Sequence, residues 1–225
     1  MSTREIPLRN NFIYHVFNKT IDNKNVFSDF DSSSELYKRL IYYRSKNSIR
    51  SYSQLKLLGK EVSVKVDKEI EQKKDFRVEI LNYAFLPNHY HFLIKQLATN
   101  GISEFMSKVF NSYTRYYNLK KKRNGQVFLQ SFKAIDIMSE EQLIHTSRYI
   151  DLNPYSCGLL KNINNLKDFK WSGYRAYVDD SFIDPLISTK EILNLFDKDR
   201  QRYKGFVLDR ADYQKSLEYI KHQIY

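Results

Sequence analysis

The chain predicts an α+β fold in which helices pack on an antiparallel sheet, and three observations carry that expectation. Strand-like and helix-like segments alternate along the sequence without internal repeats or low-complexity linkers. Two apolar, β-rich runs, Phe76 to Leu86 and His89 to Lys95, are separated only by Pro87-Asn88, which makes them neighbours in an antiparallel hairpin. Ile102, Phe105, Met106, Val109, Phe110, Tyr113, Tyr116 and Tyr117 then recur at the helical period, defining an amphipathic helix from Ile102 to about Lys122.

The other elements follow in order. Asn11 to Thr20 is rich in β-branched and aromatic residues and reads as a first strand. Ser32 and Glu35 form a capping-box pattern ahead of Leu36, Leu40, Ile41 and Tyr43, so a helix is expected to begin at Ser32. Residues 51–75 are charged and irregular and read as an insertion, with a short hairpin around Val62 to Val66. Asn124-Gly125 ends the amphipathic helix, and Val127 to Ile137 returns to strand character. Ser139 with Gln142 is a second capping box, opening a helix that Pro154 is expected to close. Trp171-Ser172-Gly173-Tyr174 is a compact aromatic loop suited to packing. Ser188 with Glu191 caps a helix through Phe196, and Tyr213 to Tyr225 forms a closing one. The expected organisation is one unit over residues 1–180 and a C-terminal helical extension over residues 181–225.

Composition narrows the function classes. A hydrophobic fraction of 42% with only six glycines and four prolines describes a folded chain, not a disordered one. No apolar run approaches the ~20 residues of a membrane span, and Met1-Ser2-Thr3-Arg4-Glu5 lacks the apolar core of a signal peptide, so a cytoplasmic protein without a membrane partner is expected. The single cysteine, Cys157, excludes an internal disulfide and a cysteine-rich zinc site, which leaves His, carboxylate or amide groups to hold any metal. Lys and Arg number 37 against 26 Asp and Glu, and a net charge of +11 favours a polyanion such as nucleic acid.

His89 and His91 carry the sharpest chemical signal. On a strand, side chains alternate faces, so the two imidazoles share one wet face while Tyr90 and Phe92 occupy the other. An imidazole pair on a rigid strand can take a divalent metal once a third ligand arrives from elsewhere. The helix opened by Ser139 holds a candidate: His145, Tyr149 and Asn153 lie at i, i+4 and i+8 and form one polar stripe. If that stripe crosses the histidine strand, Asn153 can complete a metal site with Tyr149 beside it as nucleophile. Tyr113, Tyr116 and Tyr117 are rivals for that role. Lys120, Lys121, Lys122 and Arg123 form a cationic cluster at the end of the preceding helix, suited either to the helix dipole or to phosphate.

Leu86-Pro87-Asn88-His89-Tyr90-His91-Phe92-Leu93-Ile94, followed by Arg148-Tyr149-Ile150-Asp151-Leu152-Asn153-Pro154, resembles the paired signature of the single-tyrosine HUH transposases, the IS200-like group, and within it the REP-associated tyrosine transposases. Supporting segments are Ile13 to Lys19, Ser112 to Asn118, Gly125 to Lys133 and Trp171 to Tyr174, so the resemblance spans roughly residues 10–200. It implies a ferredoxin-like HUH nuclease core with His89, His91 and Asn153 as ligands of Mg²⁺ or Mn²⁺ and Tyr149 as the catalytic tyrosine. It further implies cleavage and strand transfer on single-stranded or hairpin DNA through a 5′-phosphotyrosine intermediate. Arg115, Lys120, Lys121, Lys122, Arg123, Lys133 and Arg148 are the expected DNA-backbone contacts. The sequence departs from the family pattern at Tyr90, in place of a small or aliphatic middle residue, at Ser131, where arginine is frequent, and in the 51–75 insertion. Two other functions compete, a domesticated DNA-binding protein without cleavage and a metal-dependent hydrolase using water at the histidine pair. Monomer and homodimer are both compatible with the sequence.

Overall fold

The computed structural model describes residues 7–224. Met1 to Glu5 and Tyr225, on which the signal-peptide reading and the end of the closing helix rest, lie outside the described residues. Four strands, β1 (Ile13–Lys19), β2 (Val78–Leu86), β3 (His89–Gln96) and β4 (Lys133–Ile137), form one antiparallel sheet in the order β2-β3-β1-β4. Helix α1 (Phe30–Tyr43) lies between β1 and β2 in the chain, and α4 (Gly101–Lys120) between β3 and β4. The result is a β-α-β-β-α-β order, ferredoxin-like as the family resemblance implies, within the antiparallel sheet and packed helices that the residue pattern predicts.

The sheet buries both faces because β2 and β3 are apolar almost throughout. On one face Tyr90 and Phe92 pack against α1 and α4, with the Tyr90 ring stacked 4.2 Å from that of Phe110. Tyr90 therefore turns away from the two histidines beside it, and its departure from the family pattern is a matter of packing. On the other face Leu81, Ala84, Leu86 and Leu93 pack against α5 (Glu140–Ser156). A β-bulge between Ile80 and Asn82 absorbs one extra residue and turns Asn82 toward α5.

Several sequence expectations are corrected. Helix α1 is capped by Asp29, whose carboxylate accepts from Ser32 N–H, so the helix starts before Ser32, and Glu35 instead accepts from Arg39 and Lys56. Residues 51–75 form two helices, α2 (Tyr52–Leu57) and α3 (Lys60–Lys73), with no hairpin. The alternation of Val62, Val64 and Val66 suggested a strand, whereas Val66 and Ile70 follow Val62 at i+4 and i+8 on a helical stripe. Ser51 and Gln54 supply the capping box that starts this pair. The β4 region is strand only from Lys133, and Phe128 makes an isolated bridge to Thr20. Pro154 does not end α5, which runs on to Ser156; Pro154 lies in the last turn, where its missing N–H costs one hydrogen bond.

Beyond α5, Ser172 bridges Ala84 at the β2 edge and Gly173 N–H donates to the Tyr83 carbonyl. A Cβ on Gly173 would stand 2.5 Å from Asn82 Oδ1, so the aromatic loop needs glycine there. Then come α6 (Tyr174–Val178), α7 (Lys190–Asn194), α8 (Arg200–Leu208) and α9 (Ala211–Ile224). The helix read from Ser188 starts later, after Thr189, and α8, capped by the Asp199 carboxylate, has no counterpart in the sequence reading. Tyr203, Val207 and Ala211 join Ile150 and Leu152 in one core, so these helices bear directly on α5. Among the described residues no helix is long and apolar enough to cross a membrane.

Candidate active site

Strand β3 fixes the two histidines. His89 opens the strand and His91 lies one pleat further on, so both rings leave the sheet on the α5 side. Their centroids are 5.3 Å apart and their planes nearly perpendicular, at 88°. His89 Nδ1 lies 2.7 Å from Asn88 Oδ1, an acceptor, which places its proton on Nδ1 and makes Nε2 the basic nitrogen. His91 Nδ1 lies 2.9 Å from His15 Nε2. The sequence expectation of two wet-face residues holds for His89, which is half-buried, but not for His91, which is 6% exposed. The difference arises because α5 and β1 enclose the second pleat and leave the first at the sheet end.

Helix α5 brings the tyrosine. The Tyr149 ring stands edge-on to His91 with centroids 5.5 Å apart, and edge-on to His15 at 6.0 Å. Asn153, one turn further, is 3% exposed, and its buried side-chain nitrogen Nδ2 has no hydrogen-bond partner. Oxygen and nitrogen of an amide are assigned from their surroundings, so this orphaned polar end is also where a flipped Asn153 would present its oxygen. His145 leaves the expected stripe: it packs on Phe206 of α8 and takes a 2.7 Å hydrogen bond from Arg148.

A buried polar network underneath holds α5 to the sheet. Asn82 Nδ2 donates to Asp151 Oδ1 at 2.8 Å and to Ser147 Oγ at 2.9 Å, and Tyr203 from α8 donates to Asp151 Oδ2. Burial pushes the Asp151 carboxyl up to about 7. The network lies on the side of α5 opposite Tyr149 and fixes the helix rotation that aims the phenol at the histidines. Asp151 stands inside the tyrosine motif, yet its role required the fold to be read.

His15 is the residue that sequence reasoning missed. Burial lowers its pKa to about 4, so it is neutral at neutral pH and has one ring nitrogen able to accept. Strand alternation places His15 opposite Tyr14 and Val16 in face, but only the β1-β3 register brings it to His91.

The expected DNA contacts divide by environment. Lys133 is exposed on the open face of β4, in register with Phe17. Lys121 and Lys122 are exposed after α4, whereas Lys120 pairs with Asp29 at 2.8 Å and Arg123 donates to Asn118 Oδ1 and the Gln126 carbonyl. Arg148 lies over the Phe206 ring and donates to its carbonyl, joining α5 to α8. Arg115 lines a cavity of about 320 Å³ with Ser48, Arg50 and Lys108, on the α4 side of the sheet. Of the rival tyrosines, Tyr113 is fully buried and donates to the Val26 carbonyl, and Tyr116 and Tyr117 sit beside it on α4, across the sheet from the histidines.

Residues 48–153 match a family model described as transposase IS200-like. Over this stretch the chain is similar to the IS200-like transposases. The stretch takes in the histidine pair and Tyr149 and ends on Asn153. Among solved structures, one of a REP-associated tyrosine transposase bound to a REP hairpin is 14% identical over 84% of this chain and 92% of that one, with a TM-score of 0.52. A bacterial tRNA(His) guanylyltransferase-like protein in complex with ATP is 11% identical over 74% of this chain and 71% of that one, at a TM-score of 0.34, and has no bearing on the site. No curated protein matches. The fold of the IS200-like segment is thus shared with a tyrosine transposase. Among its described residues, no group of three or more His, Cys, Asp or Glu side chains could hold a metal, so any ion there must take a ligand of another kind.

Proposed function

We propose that the protein is a metal-dependent transposase that cleaves and rejoins single-stranded DNA, presented with a hairpin, through a 5′-phosphotyrosine intermediate. The observation that carries this reading is the 5.5 Å approach of the Tyr149 ring to His91, which joins the two halves of the motif across the sheet. The donor set suits a hard divalent ion such as Mg²⁺ or Mn²⁺: two imidazoles whose Nδ1 atoms are engaged by protein, and the unsatisfied amide of Asn153. Such an ion, bound by His89, His91 and Asn153, would supply charge to polarise the scissile phosphate.

The chain's own residues supply the rest. The phenol oxygen of Tyr149 attacks phosphorus in line, a P–O bond to the tyrosine forms, and the bond to the 3′ oxygen breaks with its electron pair leaving on that oxygen. The phenol loses one proton and the 3′ oxygen gains one, so a 5′-phosphotyrosine and a free 3′-hydroxyl result. Because the phosphodiester is exchanged for another phosphodiester, rejoining needs no nucleotide cofactor. Exposed Lys133, Lys121 and Lys122 suit the DNA backbone.

Incubation of labelled hairpin DNA with Mn²⁺, followed by denaturing gel electrophoresis, tests the reading. Wild-type protein is expected to form a covalent adduct and Tyr149→Phe none, with hairpin binding retained. An adduct from Tyr149→Phe removes Tyr149 as nucleophile. Binding without an adduct from wild type favours the domesticated DNA-binding reading, and cleavage without an adduct favours the hydrolase.

A further inference from the structure

Helix α5 covers β2 and β3 and reaches Ile137, but it leaves the other corner of the same sheet face open. Pairing across the sheet places Ala84, His91, Phe17 and Lys133 in one row, and Leu86, His89 and Lys19 in the next. Strand parity points Phe17 to the α5 side, where its ring is half-buried and lies 5.7 Å from that of His91, tilted by 27°. Lys19 and Lys133 flank it and are exposed, and Ile135, next along β4, is 50% exposed. The ring packs on His15 and His91 on one side, and the rest of it lies half-exposed at an uncovered corner of the sheet bordered by two cations.

We infer that Phe17 is a stacking platform for an unpaired base of single-stranded DNA, with Lys19 and Lys133 holding the phosphates on either side. The inference rests on the reading of His89 and His91 as the scissile-phosphate site and adds a subsite to it. Adjacent strands lie ~4.8 Å apart, so a phosphate at the histidine pair has the Phe17 ring one strand away and the Lys133 stem two strands away. A nucleotide whose phosphate sits at the histidines can lay its base on that ring. The net charge of +11 suits a polyanion, and β4 turns Lys133 and Ile135 toward this corner while its acidic residue, Asp136, points to the opposite face and pairs with Arg9. Stacking reads no base edge, so the subsite takes any base and selects unpaired DNA over duplex.

The test is binding of two fluorescein-labelled hairpins in metal-free buffer, one with an oligothymidine tail and one with an abasic tail of equal length and charge. Wild-type protein is expected to prefer the thymidine tail about five-fold or more. Phe17→Leu keeps an apolar side chain and is expected to abolish that preference, and Phe17→Tyr to retain it. Lys19→Ala and Lys133→Ala are expected to weaken both hairpins equally and leave the ratio intact. If Phe17→Leu keeps the wild-type ratio, the platform is overturned while the cleavage reading stands on its own adduct assay. If wild type shows no preference between the tails, the platform is likewise overturned. If wild type binds neither hairpin, the cleavage reading falls with it.

Discussion

His15 Nε2 lies 2.9 Å from His91 Nδ1, so a strand at the start of the chain orients an imidazole supplied by the hairpin. A ligand histidine engaged through one nitrogen keeps a fixed ring plane and turns the other nitrogen outward. Replacement of His15 by Phe, which fills the space but cannot accept, is expected to weaken Mn²⁺ binding about 10- to 100-fold. His15→Gln, whose carbonyl oxygen reaches the place of Nε2, is expected to restore most of it. Isothermal titration with Mn²⁺ decides the matter, and equal affinities for the Phe and Gln variants would leave His15 only a packing role.

The two histidines proposed as metal ligands are expected to differ in what they cost the fold. His91 is almost fully buried among His15, Phe17 and Tyr149, whereas His89 is half-exposed at the strand start. Both alanine variants should lose Mn²⁺ binding, but only His91→Ala should also lower the melting temperature by several degrees, the effect of ~1–2 kcal/mol from a vacated buried site. Equal melting temperatures would show that the sheet closes over the missing ring.

The cationic cluster after α4 should not act as a unit. Lys120 ties the end of α4 to the N-terminus of α1 through Asp29, and Arg123 folds over its own loop. Lys121→Ala with Lys122→Ala should reduce the salt slope of hairpin binding by about 1–2, near the value for the loss of one or two phosphate contacts. Lys120→Ala should leave that slope close to wild type and remove ~0.5–1 kcal/mol of stability instead. A slope change confined to Lys120→Ala would reverse the assignment.

What the sequence made legible follows from how local each signal is. The Pro87-Asn88 hairpin, the α4 stripe and the Ser139 cap depend on near neighbours, and all are found. The histidine pair and Tyr149 were visible because strand and helix periods place side chains on faces without knowledge of the fold. His15 and Phe17 were not, since only the β1-β3 register, which one sequence does not encode locally, brings them against His91. Asp151 was hidden for a related reason: its partners Asn82 and Tyr203 come from distant elements, and the bulge that aims Asn82 is invisible to a period-two count. The helices of residues 51–75 were missed because short alternation of valines mimics a strand until Ile70 is included.

The buried carboxyl of Asp151 gives the helix that carries Tyr149 a pH dependence with a definite sign. Burial raises its pKa from 3.8 to about 7, with the hydrogen bonds from Tyr203 and Asn82 opposing the rise. The native state therefore keeps a proton that the unfolded chain releases once pH exceeds about 4. Between those values the unfolded state binds fewer protons than the native one, so this group's contribution to stability is fully present below about pH 4 and is lost as pH rises toward about 7. The loss amounts to at most ~4 kcal/mol and levels off above that range. Asp151→Asn keeps an acceptor for Asn82 and offers its amide to the Tyr203 oxygen, so the network survives without a titrating group. Urea unfolding across this range should show wild type losing stability relative to Asp151→Asn as pH rises, with the difference flat above neutrality. Parallel stability curves for the two proteins would mean that Asp151 is ionised in the native state and that the carboxylate, held by Tyr203 and Asn82, is what secures α5.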